Sequence, residues 1–188
     1  LDAWDALYSF IGNEGPVFFF LTNKDAPRYR VVAIDTRRPD PGSWQVIVPQ
    51  AEETLTGASY VGGHFVGQYL KDARSLVRVF GRNGEPLRDV DLPAIGTAVG
   101  FGGKAADPET FFAFESYTTP PTLYRYDVST GESSVYRQTQ VGVSPEEYET
   151  VQVFFDSKDG TRIPMFITHR KGLVLNGENP TLLYGYGG

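Results

Sequence analysis

The chain has 188 residues, with 17 lysines and arginines against 23 aspartates and glutamates, which gives a net charge of −6. This composition argues against nucleic-acid binding, because phosphate contacts need clustered basic residues and the sequence shows no such cluster. The absence of cysteine excludes disulfides, thiolate metal ligands and a cysteine nucleophile. A hydrophobic content of 40% is enough for a sizeable core.

The first apolar runs predict three strands, at residues 17–21, 29–35 and 44–48. Apolar and polar residues alternate through the second run, which is typical of a strand and not of a helix. Residues 38–42 predict a turn before the third run, because two prolines and a glycine suit a tight reversal of the chain.

The same plan of three short strands with a turn occurs twice more along the chain. The second unit has predicted strands at residues 65–70, 75–80 and 87–92, and the third has them at residues 111–114, 122–127 and 133–137. Phe18, Phe65 and Phe112 are each 47 residues apart, and we interpret them as core residues between the units. A period in the mid-forties without helical periodicity predicts four-stranded β-propeller blades.

Three units are too few to close a propeller ring, which needs about four to eight blades. The chain begins at Leu1 and not at a methionine, and its last five residues, 184–188, directly follow the apolar pair Leu182–Leu183 with no polar tail, so we expect it to be part of a longer polypeptide. No apolar run approaches the roughly 20 residues of a membrane span, so we expect a soluble protein with no membrane partner. Its compartment, cytoplasmic or periplasmic, stays open.

The last third of the chain changes character near residue 140. Residues 150–155 and 163–169 are predicted strands, joined by a hairpin turn at residues 157–160 in which Gly160 takes a positive φ. A loop and a third, buried strand at residues 181–184 are predicted to follow. This pattern predicts the opening of a second domain and not a fourth blade.

Residues 157–167 and the ending Leu-Tyr-Gly-Tyr-Gly-Gly resemble the domain junction of the prolyl oligopeptidase family of serine peptidases. The resemblance extends back through residues 22–30 and 99–103. It implies a mainly β chain, in which residues 1–140 are the last three or so blades of a seven-bladed β-propeller. Residues 141–188 would then be the first strands of an incomplete α/β-hydrolase domain.

Tyr186 is the candidate catalytic residue. Tyr184 and Tyr186 would share one face of an extended strand, and from the residues alone an aromatic side chain packed at a strand end is the simpler interpretation. The resemblance reverses this preference, because the matching tyrosine of prolyl oligopeptidases donates its hydroxyl to the oxyanion of the tetrahedral intermediate. A donor held in a dry pocket gains strength as charge develops on the carbonyl oxygen.

No other residue of the chain is assigned to the chemistry. A Ser-Asp-His triad needs a G-x-S-x-G elbow, which this sequence lacks, so the chain alone should be inactive. His64 and His169 are interpreted as structural, and the acidic residues near the linker as a solvated face. No metal or cofactor is expected, residues 100–104 are placed between blade strands and not in a phosphate loop, and Arg28, Arg30, Arg74 and Arg78 receive no substrate role.

Two functions therefore remain open. In the first, the chain is part of an endopeptidase that cuts short peptides after proline, with the propeller filtering substrates and the rest of the polypeptide supplying earlier blades and the triad. In the second, it is a propeller module that binds a peptide or protein and performs no chemistry. The length of the family resemblance favours the first.

Overall fold

The computed structural model describes residues 4–142 and 144–185. Within these ranges the regular elements are β-strands and two single-turn 3₁₀ helices, at Pro41–Ser43 and Pro145–Glu147. The strands form three four-stranded sheets and one hairpin, so the prediction of a mainly β chain is confirmed. No helix in the described part of the chain is long and apolar enough to cross a membrane.

Each four-stranded sheet is an antiparallel meander in which every strand pairs with its neighbours in the sequence, as in a propeller blade. The first sheet contains β1 (Tyr8–Glu14), β2 (Val17–Thr22), β3 (Arg30–Asp35) and β4 (Gln45–Val48). The second contains β5 (Thr54–Val61), β6 (His64–Lys71), β7 (Arg74–Phe80) and β8 (Pro86–Asp89). The third contains β9 (Thr97–Gly102), β10 (Glu109–Glu115), β11 (Thr122–Asp127) and β12 (Ser133–Gln138).

The nine predicted strands of the repeat correspond to the second, third and fourth strands of these sheets. The first strands, β1, β5 and β9, were not located individually, because a β-bulge interrupts the pairing of each and glycines weaken its apolar pattern. The placement of residues 100–104 between strands is wrong in part, since Gly100 and Gly102 belong to β9. Between them, Phe101 is fully buried and stacks on Phe112 with ring centroids 4.6 Å apart.

The second sheet is covered on both faces, and this arrangement creates two cores. Phe65 packs toward the first sheet against Phe19, while the next residue, Val66, joins the core shared with the third sheet. Phe65 and Phe112 are therefore core residues as predicted. Phe18 is different: it is half-buried on the opposite face of β2, against Phe10, because its neighbour Phe19 occupies the position between the sheets.

An arginine from the β7–β8 part of the second sheet contacts each neighbouring sheet: Arg82 lies in the turn between these strands, and Arg88 lies in β8. Arg82 forms an ion pair with Glu14 of the first sheet, and the same carboxylate accepts a hydrogen bond from the Tyr60 hydroxyl. Arg88 donates to the hydroxyl of Tyr126 in β11 at 3.2 Å and to the carbonyl oxygen of Val128, in the turn that follows β11. Charged side chains thus connect the sheets at the edges of the apolar cores.

The final third forms an antiparallel hairpin of β13 (Tyr148–Asp156) and β14 (Arg162–Arg170), as predicted. Gly160 in its turn has φ of 80°, also as predicted. The predicted buried strand at residues 181–184 is wrong. These residues pair with no strand of the described chain, and Leu182 and Leu183 are 90% and 83% exposed. An apolar run becomes a strand only where a neighbour satisfies its backbone groups.

Candidate functional site

The hairpin lies against one end of the second and third sheets, which we call the hairpin end. This end includes the two-residue turn Asp72–Ala73 between β6 and β7 and the loop of residues 116–121 between β10 and β11. The side-chain amide of Gln152 donates to the carbonyl oxygen of Asp72 at 2.6 Å. The ring of Phe166 lies 6.0 Å from that of Tyr117 between centroids. The hairpin therefore contacts both sheets.

A single cross-strand pair makes these two contacts. Gln152 in β13 is directly opposite Phe166 in β14, and opposite residues of an antiparallel pair share one face. That face of the hairpin is turned toward the ends of the sheets. The opposite face is apolar and partly exposed; it carries Val151, Val153, Phe155, Ile163, Met165 and Ile167.

A cleft of about 260 Å³ lies at the hairpin end, where the two sheets meet β14. Ile95, Tyr117 and Phe166 supply apolar walls, and Arg74 and Glu115 are the charged residues that line it. The Nε atom of Arg74 is buried and has no hydrogen-bond partner in the described part of the chain. A partly buried cation in a cleft of this kind is a candidate for binding an anionic group.

The loop of residues 116–121 separates this cleft from a second one of about 240 Å³. The Ser116 hydroxyl shapes the loop by accepting hydrogen bonds from the backbone N–H groups of Thr118 and Thr119, at 3.2 and 2.9 Å. The second cleft reaches Val141 and Pro145 of the segment that leads into the hairpin. This loop therefore borders both the hairpin and the segment before it.

The predicted catalytic residue, Tyr186, lies outside the described residues, so its assignment stays a prediction. The preceding tyrosine, Tyr184, is 77% exposed. Neither Gln152 nor Arg74 was singled out as functional from the sequence. No local pattern could have identified the Gln152 contact, because its partner lies 80 residues earlier in the chain.

Both histidines contact backbone carbonyl oxygens. His64 Nδ1 lies 2.7 Å from the oxygen of Gly62, and His169 Nδ1 lies 2.9 Å from that of Arg170. A carbonyl oxygen can only accept, so each contact requires the proton to be on Nδ1. His169 is also 3.7 Å from a carboxylate oxygen of Glu149. This geometry suits the structural role predicted for both residues.

The acidic residues near the hairpin lie at its exposed surface. Glu147 pairs with Arg170 at 3.5 Å, across the start of the hairpin. Hydrogen bonds from the Ser157 hydroxyl and the Thr161 backbone N–H lower the pKa of Asp159 to about 2. These bonds organise the hairpin turn and do not create a ligand site. Within the described ranges, no group of three or more histidines and carboxylates is arranged to hold a metal ion.

Comparisons with known proteins match both the sheets and the hairpin. Residues 1–139 match the sequence model of the prolyl oligopeptidase N-terminal β-propeller domain. All 188 residues align with curated relatives: the chain is 39% identical to a prolyl endopeptidase of Elizabethkingia meningoseptica and 32% identical to a dual-function macrocyclase-peptidase of Amanita bisporigera. The chain spans about a quarter of the length of these relatives, 26% in each case.

Solved structures show the same relationship. A chain from a study of two prolyl endopeptidases and their inter-domain dynamics superposes with a TM-score of 0.87 at 43% identity, covering 100% of this chain and 28% of the other. The apo form of prolyl oligopeptidase B from Galerina marginata superposes with a TM-score of 0.85 at 28% identity, covering 94% of this chain and 26% of the other. The similarity thus extends through the hairpin as well as the sheets.

Proposed function

The chain belongs to the prolyl oligopeptidase family, and on that premise we propose that it is part of a serine endopeptidase that hydrolyses short peptides on the carboxyl side of proline. One observation carries the proposal: the identity of 39% to a prolyl endopeptidase extends over the whole chain and includes the hairpin. A propeller module that only binds a partner would not need the residues after the third sheet to match a peptidase.

We further propose that residues 1–140 are the last blades of a seven-bladed propeller and that residues 141–188 begin the α/β-hydrolase domain. Three features support this division. The third sheet ends at Gln138, the family match ends at residue 139, and the hairpin pairs with no sheet of the described chain. The apolar outer face of the hairpin gives further support, because a sheet face of this kind is normally covered by other elements.

The proposed partner of the chain is the remainder of the same polypeptide. Apolar side chains remain exposed on the outer faces of the first and third sheets: Phe10 is 55% exposed on the first, and Val99 and Phe111 are 55% and 36% exposed on the third. Exposed apolar side chains on the outer face of a sheet suit an interface with a further element. Further blades at both faces would cover it and would limit access to the active site to short peptides.

In this proposal the triad comes from the rest of the hydrolase domain, and Tyr186 supplies one donor of the oxyanion hole. Its phenol O–H would stabilise the negative charge that develops on the carbonyl oxygen when the serine attacks. A donor of this type contributes about 3 to 4 kcal/mol to transition-state stabilisation, which is roughly 100- to 1000-fold in rate.

The test compares Tyr186→Phe with Tyr184→Phe in the full-length protein, using a chromogenic Gly-Pro substrate. We expect cleavage after proline by the unmodified protein, a fall of roughly 100- to 1000-fold in the single-turnover acylation rate for Tyr186→Phe, and little change in substrate binding. Tyr184→Phe should retain the rate. No cleavage by the unmodified protein would refute the peptidase function, whereas an unchanged rate in Tyr186→Phe would refute only the oxyanion role.

A further inference from the structure

Two buried side-chain nitrogens in the described part of the chain lack a hydrogen-bond partner, the Nε atoms of Arg30 and Arg74. Each arginine is the first residue of the third strand of its sheet. A buried donor without a partner is costly, and more so when it carries charge. The two differ in their surroundings, because Arg74 lines the 260 Å³ cleft at the hairpin end and Arg30 lines neither cleft at that end.

Hydrogen bonds of the residues before and after Arg74 fix the position of its backbone. Arg74 follows the turn Asp72–Ala73. The carbonyl oxygen of Asp72 accepts a hydrogen bond from the side-chain amide of Gln152. The next residue, Ser75, donates its backbone N–H to the carbonyl oxygen of Gly96 at 3.0 Å, and its hydroxyl accepts from the N–H of Ala98 at 2.9 Å. These bonds hold the start of β7 against β9 of the third sheet, so the guanidinium is attached to an ordered backbone.

The walls of the cleft favour a strong interaction with an anion. Ile95, Tyr117 and Phe166 reduce the local dielectric constant, which strengthens a charge-assisted hydrogen bond. Glu115 lines the same cleft but is exposed and forms no ion pair with Arg74 in the described structure. Within residues 4–142 and 144–185, the positive charge of Arg74 therefore has no ion-pair partner.

We propose that this cleft is a carboxylate-binding site, in which Arg74 holds the carboxylate and the adjacent walls hold an apolar group. A planar guanidinium matches the two oxygens of a carboxylate, and aromatic walls suit an apolar side chain beside it. The carboxylate can come from the C-terminal residue of a peptide or from an acidic side chain elsewhere in the polypeptide. The peptide source rests on the proposed peptidase function, since a peptide would then be the natural ligand.

The experiment uses N-acetylphenylalanine and its amide as probes, which differ only in the carboxylate. Binding is measured by calorimetry on the full-length protein and on the variants Arg74→Met, Arg74→Lys, Glu115→Gln and Arg30→Met. Arg30→Met is the matched control, because it removes an equivalent arginine outside the clefts. Probe binding needs no catalysis, so its result is independent of the Gly-Pro cleavage assay that tests the proposed function.

If the site binds the C-terminal carboxylate of a peptide, we expect N-acetylphenylalanine to bind at least 10-fold more tightly than its amide. Arg74→Met should abolish this preference, Arg74→Lys should retain part of it, and Arg30→Met should retain all of it. Glu115→Gln should increase the affinity for the acid by removing a like charge.

If the site is instead occupied by an acidic side chain of the polypeptide itself, we expect the acid and the amide probe to bind equally. Arg74→Met should then lower the melting temperature more than Arg30→Met does, and Arg74→Lys should restore part of the loss. Equal binding of acid and amide together with equal melting temperatures for Arg74→Met and Arg30→Met would overturn the proposal.

Discussion

The side-chain amide of Gln152 donates a 2.6 Å hydrogen bond to the carbonyl oxygen of Asp72, 80 residues earlier in the chain. The residue opposite Gln152 in the hairpin, Phe166, contacts Tyr117 in the neighbouring sheet. One cross-strand pair thus attaches the hairpin to two sheets, through one polar and one aromatic contact. This attachment is small compared with the cores between the sheets, and its strength can be measured separately.

Gln152→Ala should weaken the attachment of the hairpin while the sheets remain folded. Losing one hydrogen bond costs about 1 kcal/mol, which corresponds to roughly a fivefold faster hydrogen exchange where opening is local. We expect the increase at residues 72–74 and 148–170. Gln138→Ala in the exposed strand β12 is the matched control and should leave the exchange of both segments unchanged. Equal exchange profiles for the two variants would contradict the role assigned to Gln152.

The Tyr60 hydroxyl should make stability depend on pH in the alkaline range. Burial, followed by the hydrogen bond to Glu14, raises the pKa of Tyr60 to about 12. In the unfolded chain the phenol ionises near pH 10, so its contribution is complete below pH 10 and is lost as the pH rises from about 10 to 12. Urea unfolding at pH 8 and pH 11 should show this loss.

Tyr60→Phe isolates the contribution of this hydroxyl. At pH 8 we expect it to lower the free energy of unfolding by about 1 to 2 kcal/mol, because the bond to Glu14 is lost. The variant should also lose less stability than the parent between pH 8 and pH 11. Burial raises the pKa of Tyr69 to about 12 as well, so part of the alkaline dependence should remain. If the parent and Tyr60→Phe lost the same stability between pH 8 and pH 11, Tyr60 would be excluded as a cause of the alkaline pH dependence.

Gly84→Ala should weaken the contact between the first two sheets. Gly84 has φ of 85°, and a Cβ atom there would overlap the carbonyl oxygen of Ile47 in β4. Gly63→Ala is the matched control, because Gly63 has φ of 72° with no atom within 4 Å of the added Cβ. We expect about 1 kcal/mol of destabilisation from backbone strain alone at Gly63, and at least about 2 kcal/mol at Gly84. If a denaturant titration showed similar losses in the free energy of unfolding for Gly84→Ala and Gly63→Ala, the close contact between Gly84 and Ile47 would not matter for stability.

Ala73→Gly should stabilise the protein. Asp72 and Ala73 form the two-residue turn between β6 and β7 with φ of 48° and 62°, which is the left-handed region that an alanine adopts only at a cost. Glycine removes a strain of about 1 to 2 kcal/mol and adds an entropic cost of about 0.5 to 1 kcal/mol. We therefore expect a net gain of about 0.5 kcal/mol in the free energy of unfolding, measured by thermal unfolding. Asp72→Asn should be nearly neutral, since asparagine tolerates the same region. A loss of stability in Ala73→Gly would contradict the hypothesis that the left-handed conformation of Ala73 destabilises the protein.

The strands of the repeat could be predicted because each combines an apolar run with a nearby turn. The same local signals predicted the hairpin and the positive φ of Gly160. The first strands of the three sheets could not be located in this way, because glycines at their bulges, such as Gly12 and Gly57, dilute the apolar pattern. Residues 181–184 gave the opposite error, since a strong apolar run does not by itself provide a strand partner.

The repeat, most of the strand and turn positions and the family resemblance can be read from the amino-acid sequence alone, because they depend on periodicity and on motifs within short segments. Three relationships become visible only in the folded chain: Phe19 and not Phe18 enters the core, Gln152 contacts Asp72, and Arg74 lines a cleft beside Phe166. These relationships depend on which face of each strand is covered and on contacts between residues far apart in the chain. The covered face of each strand and the contacts between distant residues both depend on how the sheets and the hairpin pack together. A pattern within a short segment contains no information about this packing.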